Sequence, residues 1–299
     1  MKFRTLLDLA RISNLPTVWS NVLAGAVLSS AQPEALPIVV AGIAGSLLYS
    51  GGMFLNDAFD AEIDARERPE RPIPSGRTQQ KTVLALGLAM LAVAVAVLAT
   101  FALVGGEVRA SNLVGSGLAI AVAVVVYDRW HKGVAWSPVV MGFCRAGLYV
   151  LGAFAVAPRV ERSVALPAVS LLLYVVGLTH VARFENASAV GRVWPTLFLL
   201  APAFVVGLTA DFTPEASDPI VILGIVLALH VGWTLRALRI ALRGGRGAIP
   251  RAVVSLIAGI SLADATFIAA ARGADYGSVA LALVAFPLTL FLQRWVRGT

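Results

Sequence analysis

The stretch Asn56-Asp57-Ala58-Phe59-Asp60-Ala61-Glu62-Ile63-Asp64 decides how the chain is read. Its aspartates stand at i, i+3 and i+7. At 100° per residue, Asp57, Asp60 and Asp64 fall within about 60° of one another on a helix. Three carboxylates on one face repel, so the spacing calls for positive charge among them. Hard divalent cations take oxygen ligands, and Mg²⁺ commonly shares carboxylates with substrate phosphates. Arg66, Arg68, Arg71 and Arg77 follow at once. Carboxylate-bound Mg²⁺ beside guanidinium groups suits the holding of a diphosphate. The competing reading is a solvated loop of mixed charge.

The residues around this stretch are apolar on both sides, and so is the whole chain. It has 299 residues, 58% hydrophobic and 14% charged, with a mean hydropathy of +0.83. A soluble domain is roughly 45–50% apolar and about 25% charged. The composition excludes an ordinary soluble protein, a disordered chain and a fibrous one. A membrane span needs about 20 mostly apolar residues. Ten candidates stand near 10–31, 35–57, 82–104, 111–127, 134–157, 163–182, 193–210, 218–235, 252–271 and 275–293. The expected fold is all-α: a polytopic membrane bundle forming one domain over residues 1–299. Arg11, Asn14 and Pro16 interrupt the apolar start, which therefore reads as a retained first helix rather than a signal peptide.

The 24 Lys and Arg orient the bundle. With the N-terminus inside, nineteen fall in the even loops and at the two ends, four (Arg109, Arg159, Arg162, Arg272) in the odd loops, and Arg145 within a span. Cytoplasmic loops carry the excess of basic residues. The 58–81 loop and both termini are thus expected on the cytoplasmic face of the cell membrane. The basic residues form no patch, so the net charge of +7 signals topology rather than nucleic acid. Arg236, Arg239, Arg243 and Arg246 fit topology signalling or contact with anionic membrane lipid. Cys144, the one cysteine, allows no intramolecular disulfide and reads as packing. No zinc spacing, phosphate-binding glycine loop or nucleophile elbow occurs.

Asn56, Asp57, Asp60 and Asp64, followed by Arg71-Pro72-Ile73-Pro74-Ser75-Gly76, resemble the first aspartate motif of the UbiA family of intramembrane prenyltransferases. The likeness extends upstream to Arg11, to Asn14-Leu15-Pro16-Thr17 and to Asn21. Downstream it reaches Tyr127-Asp128-Arg129-Trp130-His131-Lys132. It implies a bundle of nine spans around a central cavity, against the ten candidates counted. Either the 252–271 segment is half-inserted or a family helix has been split. The resemblance implies Mg²⁺ binding an isoprenoid diphosphate whose tail lies among the helices. An allylic cation forms and is attacked by a hydrophobic, often aromatic, acceptor. On that footing Asp57, Asp60 and Asp64 ligate metal, supported by Asn56. Asn14, Arg71 and Lys132 bind substrate, and Tyr127 faces the reacting carbon.

The pattern breaks after the sixth candidate span. The family's second aspartate motif is replaced by Thr179-His180-Val181-Ala182-Arg183-Phe184-Glu185-Asn186. Glu185 is the one acid there and the candidate second metal ligand. Arg183 stands as a fixed charge for the diphosphate, and His180 as a cavity residue. The run 67–77 also resembles the UbiA-like EboC subgroup. That likeness supplies the alternative of a catalytically impaired accessory protein that binds or helps export a hydrophobic metabolite.

Arg145 lies mid-span in Gly142-Phe143-Cys144-Arg145-Ala146-Gly147. A charge there costs about 2.5 kcal/mol or more unless paired. It reads either as a cavity arginine for a diphosphate or an acidic acceptor, or as a structural partner of Asp264. His230 reads as an interior histidine. A secondary transporter using Arg145 and Asp264 as coupling charges is a third, weaker reading.

Overall fold

The computed structural model describes the chain apart from residues 106, 132, 185–190, 192, 211–216, 272–275, 297 and 299; the side chains of 104–109 and 211–219 are also left aside. The described residues are helical, with no strand. Helices α1 (Phe3–Ala10), α2 (Leu15–Ser29), α3 (Ala35–Phe59), α4 (Ala61–Glu67), α5 (Gln80–Gly105) and α6 (Glu107–Trp130) build the first half. The second half holds α7 (Ser137–Val156), α8 (Arg162–Ala182), α9 (Ala201–Thr209), α10 (Ser217–Arg243), α11 (Ala248–Ala270) and α12 (Tyr276–Leu292). Helical segments stand at all ten apolar stretches. Seven of them are long and apolar enough to cross a membrane. The shorter three are α2, the 194–209 segment and α12, so a count of nine crossings is not established.

Several boundaries depart from the sequence reading, and proline accounts for two of them. The first stretch is not one helix. α1 ends at Arg11, whose φ of 44° is left-handed, and a 3₁₀ turn over Ile12–Asn14 leads into α2. Pro16 has no N–H, and its ring would clash with the carbonyl of Ile12, so a straight helix cannot run through. The seventh stretch opens as a 3₁₀ segment, Trp194–Leu200, and becomes α9 with Pro202 in its first turn. The eighth runs on to Arg243, which places Arg236, Arg239 and Arg243 on the last turns of α10 rather than in a loop. The 252–271 segment is long and apolar enough to cross a membrane. It is the continuous helix α11, buried along nearly all its length against α2, α8, α10 and α12.

Two apolar clusters share α2 and α7. One joins them to α8, α10, α11 and α12, the other to α3, α5 and α6. The α2–α7 contact is backbone on backbone. A Cβ on Gly25 would collide with the Tyr149 carbonyl, and one on Gly152 with the Val22 carbonyl. In lipid, where apolar surface gains little from self-association, such small-residue seams let helices approach. The seam aligns Ser20 and Asn21 on α2 with Arg145 and Tyr149 on α7. Loops expected on one side do meet. Arg11 and Arg71 reach Asp57, Arg183 reaches Val134, and Asn14 reaches Gly298. At the opposite end, Asn112 donates to the Pro158 carbonyl.

Gly25→Ala and Gly152→Ala are expected to lower stability by about 1–3 kcal/mol through overpacking. Gly232→Ala, with open space at its Cβ, should be neutral or stabilising, because alanine favours helix. Thermal unfolding of the detergent-solubilised variants checks the contrast; equal melting temperatures would remove the seam from the account.

Candidate functional site

The aspartate motif straddles a helix break. α3 ends at Phe59 and α4 begins at Ala61, with Asp60 between them. Asp60 keeps a near-helical backbone, and its carbonyl accepts from the N–H of Asp64 at 2.8 Å. The three carboxylates therefore stay close to the expected face although the helix is not continuous. All three are buried. Arg71, brought back by the 68–77 turns, donates to Asp64 at 2.8 Å and to Asp57 at 3.3 Å. Arg11 donates to Asp57 at 3.2 Å. Burial acts to lower the Arg11 pKa. Asp57, with Tyr49, Asp128 and Asp64 behind it, outweighs that effect and raises it above the ordinary value. The left-handed backbone at Arg11 closes α1, and a non-glycine residue held there is strained in the way found at functional sites.

Below these groups lies a cavity of about 880 Å³ walled by α3, α6, α7, α8 and α11. Its mouth carries Asn14, Asn56, Asp60, Asp64, Arg71, Tyr127, Asp128, His131 and Arg183. Its depth is apolar, with Leu48, Ile120, Val124, Leu148, Val175, Leu178, Val253, Ile257 and Ile260 on the wall. Asp57 faces instead a second, more polar cavity of about 870 Å³, lined also by Arg4, Arg77 and Arg294. Arg11, Arg68 and Arg71 border both. The ion pairs of Asp57 with Arg11 and Arg71 form part of the partition.

Most of the candidate residues come together here. Asn14 donates to the Tyr49 hydroxyl at 3.0 Å and to the Gly298 carbonyl at 2.9 Å. Asn56 donates to Asp128 at 3.3 Å. Tyr127 stacks on His131, ring centroids 4.8 Å apart. Arg145 is on the cavity wall, over the ring of Tyr49. Arg183 is at the mouth but bonds no aspartate; it donates to the Val134 carbonyl and the Ser137 hydroxyl, both at 2.9 Å. It therefore secures the α6–α7 loop and does not plug the carboxylates. His180 is not among the lining residues; its ring meets Phe184 edge-on, and Thr179 takes the wall position. Lys132, Glu185 and Asn186 lie outside the described residues.

Three contributors were not singled out in the sequence. Asp128 is 5% exposed, and its Oδ2 has no hydrogen-bond partner. The His131 imidazole stands 3.6 Å from Asp60. Tyr49 bonds Asn14 and lies under Arg145. Asp128 stands in the last turn of α6 and His131 directly after it, a signal visible only once the Tyr127 segment is given to the site.

A profile of the UbiA prenyltransferase family matches residues 15–198. The chain belongs to the UbiA prenyltransferase family. Among curated relatives, the digeranylgeranylglyceryl phosphate synthase of Methanopyrus kandleri is 37% identical over 92 residues, 31% of this chain and 34% of the relative. The synthase of the same name from Ignicoccus hospitalis is 43% identical over 91 residues, 30% and 29% of the two chains. The chain thus spans about a third of the length of these relatives. A solved UbiA homologue from Archaeoglobus fulgidus, described as bound to GPP and Mg²⁺, superposes with a TM-score of 0.62 at 11% identity, covering 95% of this chain and 99% of that one. The UbiA fold and its multi-pass membrane character apply to this chain.

The donor types suit a hard cation: carboxylates and an amide, with the buried orphan oxygen of Asp128 among them. Among the described residues no three acidic, histidine or cysteine groups are placed to chelate one ion, and Arg71 bridges Asp57 and Asp64. Arg71 and a cation therefore compete for the same oxygens. Arg71→Gln is expected to tighten Mn²⁺ binding by about three- to tenfold, roughly 0.7–1.4 kcal/mol. Titration followed by electron paramagnetic resonance checks this; weaker Mn²⁺ binding in the variant would contradict the competition.

Proposed function

We propose that this protein transfers an isoprenoid group from an isoprenoid diphosphate to a hydrophobic acceptor within the cytoplasmic membrane, with Mg²⁺. One observation carries the proposal: a single cavity joins a mouth of carboxylates and guanidiniums to an apolar interior. That division matches a donor whose head is a diphosphate and whose tail is hydrocarbon. The excess of basic residues in the loops at this end supports a mouth facing the cytoplasm. Family membership and the A. fulgidus homologue described with GPP and Mg²⁺ support the same donor class.

With Arg71 moved off Asp57 and Asp64, these two carboxylates would turn with Asp60, Asn56 and Asp128 to hold the ion, and Glu185 is the expected further ligand. Bound there, Mg²⁺ supplies charge stabilisation to the departing diphosphate. Arg71, released from Asp64, and Lys132 would donate to the diphosphate oxygens. The donor's C1–O bond breaks, and the electron pair leaves with the diphosphate. The allylic cation takes a pair from the acceptor, which then loses a proton. Tyr127, at the mouth, would present its ring to the electron-poor carbon. The apolar walls exclude the water that would otherwise trap the cation. No observation supports the export-accessory alternative.

Purified protein given Mg²⁺ and a panel of isoprenoid diphosphates is expected to release diphosphate. Asp60→Ala should reduce release by about a hundredfold or more. Equal rates in the variant, or no release from the wild type with any donor, would overturn the proposal.

A further inference from the structure

The polar cavity beyond the Arg11–Asp57–Arg71 partition takes no part in the reaction described above. Its volume is about 870 Å³, and six guanidinium groups line it, those of Arg4, Arg11, Arg68, Arg71, Arg77 and Arg294. In the sequence they are scattered from position 4 to position 294, so no basic patch shows there. The fold collects them from three places: α1 and its end, the 68–77 turns, and the turn after α12. Asn14 fastens the third place to the first, donating to the Gly298 carbonyl at 2.9 Å and accepting from Gln293 at 3.2 Å.

Carboxylates do not balance this charge. Three share the lining, Asp8, Asp57 and Glu70. Asp57 is divided between Arg11 and Arg71, and Asp8 pairs with Arg77 at 3.4 Å. Among the described residues no carboxylate lies within ion-pair distance of Arg4 or Arg294. A cleft lined by one sign of charge focuses its field and concentrates counter-ions, and guanidinium forks match phosphate oxygens. Three of the six arginines also touch the mouth, since Arg11, Arg68 and Arg71 border both cavities. Breaking the donor's C1–O bond leaves the electron pair on the diphosphate. The anion gains a negative charge as it loses its hydrocarbon tail. It then has no hold on the apolar interior and a stronger one on the more basic chamber.

We propose that the polar cavity is a second anion site, which receives the inorganic diphosphate released at the mouth. Arg4 and Arg294 hold the anion beyond the partition, and Arg71, which touches both chambers, passes it across. The origin of the anion rests on the prenyltransferase reading. The site itself stands on the gathered arginines. A lipid head group carries the same phosphate chemistry, so the test separates the two sources.

The test is calorimetric binding of inorganic diphosphate to the full chain in detergent, with EDTA and at fixed ionic strength. The wild type should bind it. Arg4→Gln with Arg294→Gln should weaken binding by about tenfold or more, ~1.4 kcal/mol. Both side chains are exposed, so their loss leaves the packing intact. Arg239→Gln with Arg243→Gln removes the same charge outside the cavity and should change nothing. Inorganic diphosphate should also bind when the mouth is saturated with Mg²⁺ and a non-ionisable geranyl diphosphate analogue. No binding to the wild type, an equal loss in both double variants, or full competition with the analogue overturns the proposal. Displacement of diphosphate by a short-chain phosphatidylglycerol at lower concentration would assign the cavity to a lipid head group and overturn it as well. Failure of the analogue itself to bind would sink the prenyltransferase reading, and the EDTA arm would still judge the anion site.

Discussion

Three carboxylates at one end of a membrane helix cannot stand close together uncompensated, and the cytoplasmic end of the bundle is arranged around that constraint. Two charges 4 Å apart interact by about 4 kcal/mol at an effective dielectric of 20. Arg71 bridges Asp57 and Asp64. That ion pair pulls the 68–77 turns back over the α3–α4 junction. Arg11 meets Asp57 from the other side, at the point where the backbone leaves α1 in a left-handed conformation. The 3₁₀ turn that follows then places Asn14 on the cavity wall. The folded 68–77 segment and the partition between two cavities thus answer one electrostatic problem, while Pro16 sets the break before α2.

A second polar centre answers a different constraint, deeper in the bundle. The Gly25 and Gly152 contacts bring α2 and α7 to backbone distance. Side chains at neighbouring positions then converge on Asp264 of α11. This cluster ties three helices together where no water is available. It also leaves Arg145 facing the cavity. The cavity consequently carries carboxylates and guanidiniums at the mouth and one further guanidinium on its wall, linked to the mouth through Tyr49 and Asn14.

The sequence disclosed the fold class through composition and ten apolar stretches, and it disclosed the mouth through the spacing of Asp57, Asp60 and Asp64. Both signals are local: they depend on periodicity over one helix or less. What was not legible depends on pairings distant in the chain. Asp128 meets Asn56, 72 residues away, and nothing at 128 alone distinguishes a site carboxylate from a loop charge. Gly25 and Gly152 are two among 27 glycines. His180 lies one residue from a wall position, and a helical turn of 100° per residue is enough to send it elsewhere. Pro16, Pro195 and Pro202 were visible, but the apolar windows ran across them.

The central claim is that the mouth carboxylates and arginines hold a diphosphate through a divalent cation while the cavity takes the isoprenoid tail. Its most direct test is calorimetric binding of a non-ionisable geranyl diphosphate analogue, with and without Mg²⁺. The account predicts binding that needs Mg²⁺ and is lost in Asp64→Asn. Equal affinity without the ion, or in the variant, would contradict it.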